Sequence, residues 1–280
     1  MLAASGGELQ RYEAAEPQMG TLVRITVYAG SADDAKAAFT RGFARIAELN
    51  RVFSDYDPGS ELSRLQDGAS VSADLGRVLR VAQAVAAETG GAYDITAGRL
   101  TALWRLRKVP ADEDLKAARA ASGFTKLKLL GDRVSLRVGM RLDAGGIAKG
   151  YAAAEALRAL GVTRALVAVS GDLAIGDPPP GRAGWKIEAQ GRVFELSNVS
   201  VSTSGSSEQY FEAGGKRYSH IVDPRTGWPL ETARSVTVIH KDGAWADALS
   251  TALTVTANKS QVVCYTPTAQ ACDVEHSSRQ

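Results

Sequence analysis

Cysteine is nearly absent: only Cys264 and Cys272 occur, both close to the C-terminus. The body of the chain up to Val255 therefore offers no disulfide framework, no cysteine-based zinc site and no thiol nucleophile. It could fold in either redox compartment. Histidine is almost as sparse, at three residues. No apolar run approaches the length of a bilayer-spanning helix, so no transmembrane segment is expected. Met1 to Gly7 lacks the basic start and long apolar middle of a secretory signal. The formal net charge is only +2, and no Lys/Arg block concentrates it. That excludes an electrostatic case for nucleic acid or for an anionic membrane surface. What remains is an ordinary globular mix, 45% apolar and 23% charged over 280 residues, a length that suits one large domain or two lobes.

Periodicity sets out the elements. Leu22, Val23, Ile25 and Val27 sit among polar residues over Thr21 to Tyr28, a half-buried strand. Ala35, Phe39, Phe43, Ile46, Leu49 and Phe53 recur at helical spacing, with Asp33 and Asp34 suited to the first turn. The helix ends in the loop Ser54 to Gly59, and a short helix is expected around Glu61 to Leu65. Leu75, Val78, Leu79, Ala82 and Val85 mark another helix, stopped by Gly90-Gly91. Arg133 to Val138 reads as a strand, followed by an alanine-rich helix that ends at Leu160-Gly161. Strands are then expected at Ala165 to Val169, Trp185 to Ala189, Val199 to Thr203, Arg217 to Val222 and Ser235 to His240. A helix from about Ala244 to Val255 follows. Helices early and strands late argue for an α+β fold. From Thr256 to Gln280 no period is sustained, so the chain after about Ala257 is expected to be poorly ordered or irregularly packed. Val262, Val263 and Tyr265 are the one short apolar patch there that could tie it down.

Several segments could carry chemistry. Asp143-Ala144-Gly145-Gly146-Ile147-Ala148-Lys149-Gly150 links a strand to a helix. Paired glycines admit a ligand close to backbone, N–H groups at a helix start attract anions, and Lys149 adds charge. The glycine spacing fits neither a Walker A loop nor G-x-G-x-x-G, and a tight turn with a solvated lysine explains it equally well. Asp247, Ser250 and Thr251 share one helix face. Their hard oxygens suit magnesium and not zinc, although an Asp in a first helical turn is favourable without any metal. His220 ends a strand before the turn Asp223-Pro224-Arg225-Thr226-Gly227 and could take a proton from a hydroxyl; a lone strand histidine is more often simply packed. Ser170-Gly171-Asp172 and Ser202-Thr203-Ser204-Gly205 are loops whose backbone could meet a polar ligand edge, or plain turns. Gly91 to Thr96 could set an aromatic face and a carboxylate beside a ring system.

In order, Gln18 to Thr21, Phe53 to Leu62, Gly91 to Thr96, Asp143 to Gly150, Ser170 to Asp172, Ser204-Gly205, His220 to Gly227 and Ala246 to Leu253 resemble the ApbE family of FAD:protein FMN transferases. The match is collinear over roughly nine-tenths of the chain. It implies an α+β fold of mixed, mostly antiparallel sheets with packed helices. The family domain is expected over residues 1–256, with an atypical tail over 257–280 where the family pattern stops. By this resemblance Met19, Tyr56, Ala92, Tyr93 and Asp94 hold the flavin part of FAD, and Asp143, Lys149 and Val222 contact FAD further. Gly146, Asp247, Ser250 and Thr251 hold Mg2+, Gly146 through its carbonyl. His220 activates the acceptor hydroxyl. The implied reaction moves FMN from FAD to a Thr or Ser of an acceptor flavoprotein and releases AMP. The implied setting is the periplasm or the outer face of the inner membrane, and the implied assembly allows a homodimer. FAD hydrolysis to FMN and AMP ranks second, a flavin-binding protein without chemistry third, and an interaction protein that has lost the site last.

Overall fold

The structure, a computed structural model, describes residues 8–206 and 209–264. Its centre is a seven-stranded sheet. In spatial order the strands are β1 (Gln10–Gln18), β2 (Thr21–Ala29), β5 (Ala165–Val169), β6 (Asp172–Ile175), β9 (Val199–Gly205), β12 (Ser235–His240) and β13 (Gln261–Cys264). Every pair in this sheet is antiparallel except β12–β13, which is parallel. Three two-stranded pieces complete the β structure: β3 (Lys128–Leu130) with β4 (Arg133–Ser135), β7 (Trp185–Ala189) with β8 (Arg192–Leu196), and β10 (Tyr210–Ala213) with β11 (Lys216–Ser219). The helices are α1 (Ala32–Phe53), α2 (Ala73–Glu88), α3 (Gly98–Arg105), α4 (Asp112–Ala121), α5 (Ala148–Ala159) and α6 (Gly243–Thr256). This is an α+β fold of mostly antiparallel sheets with packed helices.

Strand alternation decides what lies on each face. Ile25, Val27, Val167 and Val169 pack under Ala38, Phe43, Ile46 and Leu160, which brings α1 and α5 onto the sheet. Val236 and Val238 join Leu249 and Ala252 of α6 and Leu75 to Val85 of α2 in the largest apolar cluster. On the opposite face the β7–β8 hairpin lays Trp185, Ile187 and Phe194 against Ile175, Val201 and Ile239. A separate cluster joins Leu100 and Trp104 of α3, Leu115 of α4, and Phe211 and Tyr218 of β10–β11.

Most expected elements form, with revised ends. Helix α1 starts at an N-cap, Ser31, whose hydroxyl accepts from the Asp34 N–H, as the acidic first turn requires. Glu61 to Leu65 is a single hydrogen-bonded turn, in which the Ser60 hydroxyl accepts from the Ser63 N–H. It does not continue as a helix, and the Glu61 carboxylate accepts from the Ser72 N–H at 2.6 Å. Residues 261–264 depart from the expected irregular tail: they form β13 and cover the edge of β12. Val263 packs on the largest cluster and Val262 on the opposite face. Tyr265 and the rest of the tail lie outside the described residues.

Candidate active site

Helices α5 and α6 cross very closely, and that crossing builds the site. A Cβ on Gly150 would lie 2.2 Å from the Gly243 carbonyl oxygen and 2.7 Å from Asp247 Cβ. Only glycine at position 150 allows this approach. It lets the Gly150 N–H donate to Asp247 Oδ2 at 3.0 Å. The start of α5 thus points an N–H group at a protein carboxylate. An anionic ligand is the partner expected at such a helix start, and here Asp247 takes the Gly150 N–H instead.

Asp247 is 3% exposed. Burial, then the nearby charge of Asp172, pushes its carboxyl up out of the usual carboxylate range, while the Lys149 charge and the Gly150 N–H oppose this. Asp172 opens β6, opposite Ser202 in the β6–β9 register. The Ser202 hydroxyl donates to Asp172 and also meets the Ser250 hydroxyl at 3.1 Å. Ser204, two residues on along β9, meets the Thr251 hydroxyl at 3.2 Å. Ser202 and Ser204 therefore face α6 by strand alternation. Ser250 is wholly buried, and its hydroxyl also donates to the Asp247 carbonyl at 2.9 Å.

The Asp143 to Gly150 segment approaches from the other side. Lys149 Nζ donates to the Gly145 carbonyl at 3.0 Å and pairs with Asp172 at 3.5 Å. Burial works against the ammonium, but the carboxylates of Asp247, Asp172 and Asp143 outweigh it and raise its pKa. A Cβ on Gly146 would fall 2.8 Å from Thr251 Oγ1 and 3.3 Å from Tyr93 Cε2, so bare backbone meets both side chains there. The Tyr93 hydroxyl is buried without a hydrogen-bond partner among the described residues. Burial first, then Asp247, Asp143 and Asp94, raises its pKa well above the ordinary phenol value. A buried orphan hydroxyl costs about 1–3 kcal/mol.

The donor set fits a magnesium ion. Asp247, Asp172, Ser250, Thr251 and the Gly146 backbone offer oxygen alone, the chemistry of a hard cation. No group of three or more His, Cys, Asp or Glu gathers among the described residues. Magnesium suits such a site, because it takes one or two carboxylates and fills its shell with water and substrate phosphate. Asp247, Ser250, Thr251 and the Gly146 carbonyl are the residues that would hold it.

Around this centre the other expected residues divide. Asp143 Oδ1 accepts from the Gly145 N–H at 2.8 Å, and Oδ2 accepts from the Thr101 hydroxyl at 2.6 Å and from Arg105 at 2.9 Å. His220 is exposed. Its Nδ1 lies 3.1 Å from the Gln209 carbonyl; since a carbonyl only accepts, Nδ1 carries the proton and Nε2 keeps its lone pair. Surrounding protein lowers the His220 pKa by desolvation, and Lys149 and Arg105 act in the same direction, against the Gln209 bond and the Asp143 charge. Tyr56 is 78% exposed. Asp94 accepts from Thr96 twice and from the Phe124 N–H. With Gly91, Arg119, Arg225 and Trp228 it lines a cleft of about 720 Å³. Met19 holds a positive φ of 51° in the β1–β2 turn. Ala92 and Val222 are buried in apolar clusters. The side chains of Asp172, Ser202, Ser204 and Arg105 were not expected here. The segment Ser202-Thr203-Ser204-Gly205 stands out in the sequence for its backbone, and the alternation Ser200, Ser202, Ser204 beside a buried Val201 is the signal for its side chains.

Comparison with known proteins identifies the family and the fold. Residues 19–270 match the model of the ApbE family. A FAD:protein FMN transferase of Vibrio cholerae is 31% identical, covering 91% of this chain and 84% of its own length. The crystal structure of the ApbE protein of Thermotoga maritima superposes with a TM-score of 0.80 at 33% identity, covering 89% of this chain and 88% of its own. The apo form of the Pseudomonas stutzeri flavinyl transferase ApbE gives 0.78 at 32% identity, covering 90% and 86%. With the family match extending over most of its length, the chain belongs to the ApbE family.

Proposed function

We propose that this protein is a magnesium-dependent FAD:protein FMN transferase that places FMN on a Thr or Ser hydroxyl of an acceptor flavoprotein and releases AMP. The observation that supports this most is the convergence of Asp247, Thr251, Gly146 and Lys149 where α5 crosses α6, within the electrostatic reach of a histidine whose Nδ1 faces the Gln209 carbonyl. In the reaction the acceptor oxygen forms a bond to the FMN-side phosphorus of FAD. The P–O bond to the other phosphate breaks, and AMP leaves with the bridging oxygen.

His220 Nε2 takes the hydroxyl proton, and the Nδ1–H bond to the Gln209 carbonyl holds the ring in the tautomer that can do so. Lys149 stays protonated and offsets pyrophosphate charge. A bound magnesium ion would add charge neutralisation on the phosphates. The flavin part is read as lying against Met19, Tyr56, Tyr93 and the Ala92–Asp94 backbone, with Asp143 and Val222 as further contacts and Ser250 completing the metal group. The same reading puts the reaction in the periplasm or on the outer face of the inner membrane, and admits a homodimer. No helix among the described residues is long and apolar enough to cross a membrane.

The test is incubation with FAD, Mg2+ and an acceptor flavoprotein, followed by separation of free nucleotides from protein-bound flavin. Covalent flavin on the acceptor, with AMP in equal amount, is the expected result. Free FMN with AMP and no labelled acceptor would make the chain a FAD hydrolase, and unchanged bound FAD would make it a flavin-binding protein.

A further inference from the structure

Arg105 joins two loops that the sequence keeps far apart. One guanidinium nitrogen pairs with Asp55, in the loop after α1, and the other with Asp143 at 2.9 Å, in the loop before α5. The guanidinium carbon sits 4.7 Å from the centroid of the Tyr56 ring, within the range of a cation–π contact. A planar fork with several donors is the side chain suited to bridging two carboxylates while stacking on an aromatic face.

The stem of this arginine is firmly based. Its neighbour Trp104 is 3% exposed, donates its ring N–H to the Gly227 carbonyl at 2.8 Å and stacks on Tyr218. At the other end of α3, a Cβ on Gly98 would meet the Arg141 carbonyl oxygen at 2.7 Å. The helix is therefore packed directly on the segment that leads into Asp143. Thr101 and Arg105, four residues apart, lie on one helix face, and both donate to Asp143 Oδ2. Arg141 adds a bond to the Asp55 carbonyl at 3.0 Å.

Tyr56 is the opposite case, a large ring left 78% exposed on a loop. The guanidinium covers one of its faces. That leaves the other for a flat ligand, while Asp55 and Asp143 fix where the arginine stands.

We propose that Arg105 is a positioning residue for the flavin substrate: it braces the Tyr56 ring as a platform and locks the Asp55 and Asp143 loops at one spacing. This rests on the transferase reading and extends it to a residue outside the implied FAD and metal groups. Its effect is on FAD binding and not on the chemical step.

The experiment compares the unsubstituted protein with Arg105→Ala, Arg105→Lys, Tyr56→Leu and Arg105→Ala/Tyr56→Leu. KM for FAD, kcat and thermal midpoint are measured for each. Arg105→Ala is expected to raise KM roughly tenfold or more with kcat changed less than about threefold. Arg105→Lys should leave KM raised, since a lone ammonium cannot bridge both carboxylates and cover the ring. Arg105→Ala should add little to Tyr56→Leu, because the two act through one platform. Unchanged KM in both Arg105 variants, full rescue by lysine, or additive effects would overturn the positioning role while leaving the transferase reading intact. If the unsubstituted protein binds no FAD at all, both fall. The lysine variant keeps the charge and most of the side chain, so it decides the matter even if the alanine variant folds poorly.

Discussion

The backbone N–H of Gly150 donates to Asp247 Oδ2 at 3.0 Å, across a helix crossing so close that a Cβ at Gly150 would lie 2.2 Å from the Gly243 carbonyl oxygen. The crossing and the carboxylate position are one feature. Gly150→Ala should therefore force α5 and α6 apart, at a cost of roughly 1–3 kcal/mol in stability. It should also lose most of its magnesium-dependent activity. Calorimetric unfolding and a transfer assay check this together; a variant with normal stability and normal activity would show that the crossing does not set Asp247.

His220 carries the proposed proton transfer. Replacement by alanine should slow transfer roughly a hundredfold while FAD affinity changes much less. Desolvation and the charges of Lys149 and Arg105 lower its pKa from the ordinary value, about 6.5 for a histidine. The base form is the neutral one. The rate should thus rise with pH along a limb that lies below about 6.5 and be level by neutrality. Steady-state rates across that range test it, and equal losses of binding and rate in His220→Ala would make the residue a positioning one.

Stability has its own pH signature at the α1–α2–α5 junction. Arg45 reaches Asp74 at 2.5 Å, and the Tyr151 hydroxyl donates to the same carboxylate oxygen at 2.7 Å. Burial alone would raise the Asp74 pKa, but the bonds from Arg45 and Tyr151 outweigh it and lower the value. A carboxyl with a depressed folded pKa contributes stability above its unfolded pKa of about 4, and that contribution is lost as pH falls through the folded pKa. Asp74→Asn should cost about 1 kcal/mol at neutral pH, and its deficit should close as the medium becomes acid. Denaturant unfolding at neutral and at acid pH reads the difference directly.

Strand β13 predicts protection in a segment whose one hint in the sequence is the short apolar patch Val262, Val263 and Tyr265. Its parallel pairing with β12 places Val262 opposite Thr237 and Val263 opposite Val238. Hydrogen exchange should be slow across residues 261–264 and comparable with that of a paired edge strand. Exchange at unfolded rates there would mean that the β12 edge is not held by this segment.

These cases mark how far the sequence could be read. The helical stripe from Ala35 to Phe53 and the apolar run Ala165 to Val169 declare themselves, because one face or both is buried by apolar side chains alone. Asp143 to Gly150 and Asp247 to Thr251 were legible as oxygen-rich and glycine-rich segments, and the resemblance to the family put them in one site. What stayed hidden depends on contacts between distant segments. Arg105 looks like any helix-end arginine until Asp55, Tyr56 and Asp143 are brought around it. Ser202 and Ser204 look like turn residues until α6 lies over them. Strand β13 is only four residues long, too short for a period to stand out, and it exists because β12 offers an edge.

The most direct test of the central claim is the intact mass of an acceptor flavoprotein after incubation with FAD, in the presence and absence of Mg2+, using the unsubstituted protein and Asp247→Asn. The account predicts an acceptor heavier by one phosphoester-linked FMN only with the unsubstituted protein and only with Mg2+. Asp247→Asn should remain folded and leave the acceptor unlabelled. Full magnesium-dependent labelling by Asp247→Asn would contradict the assignment of the site, and no labelling by the unsubstituted protein with an acceptor that a related transferase labels would contradict the proposed activity.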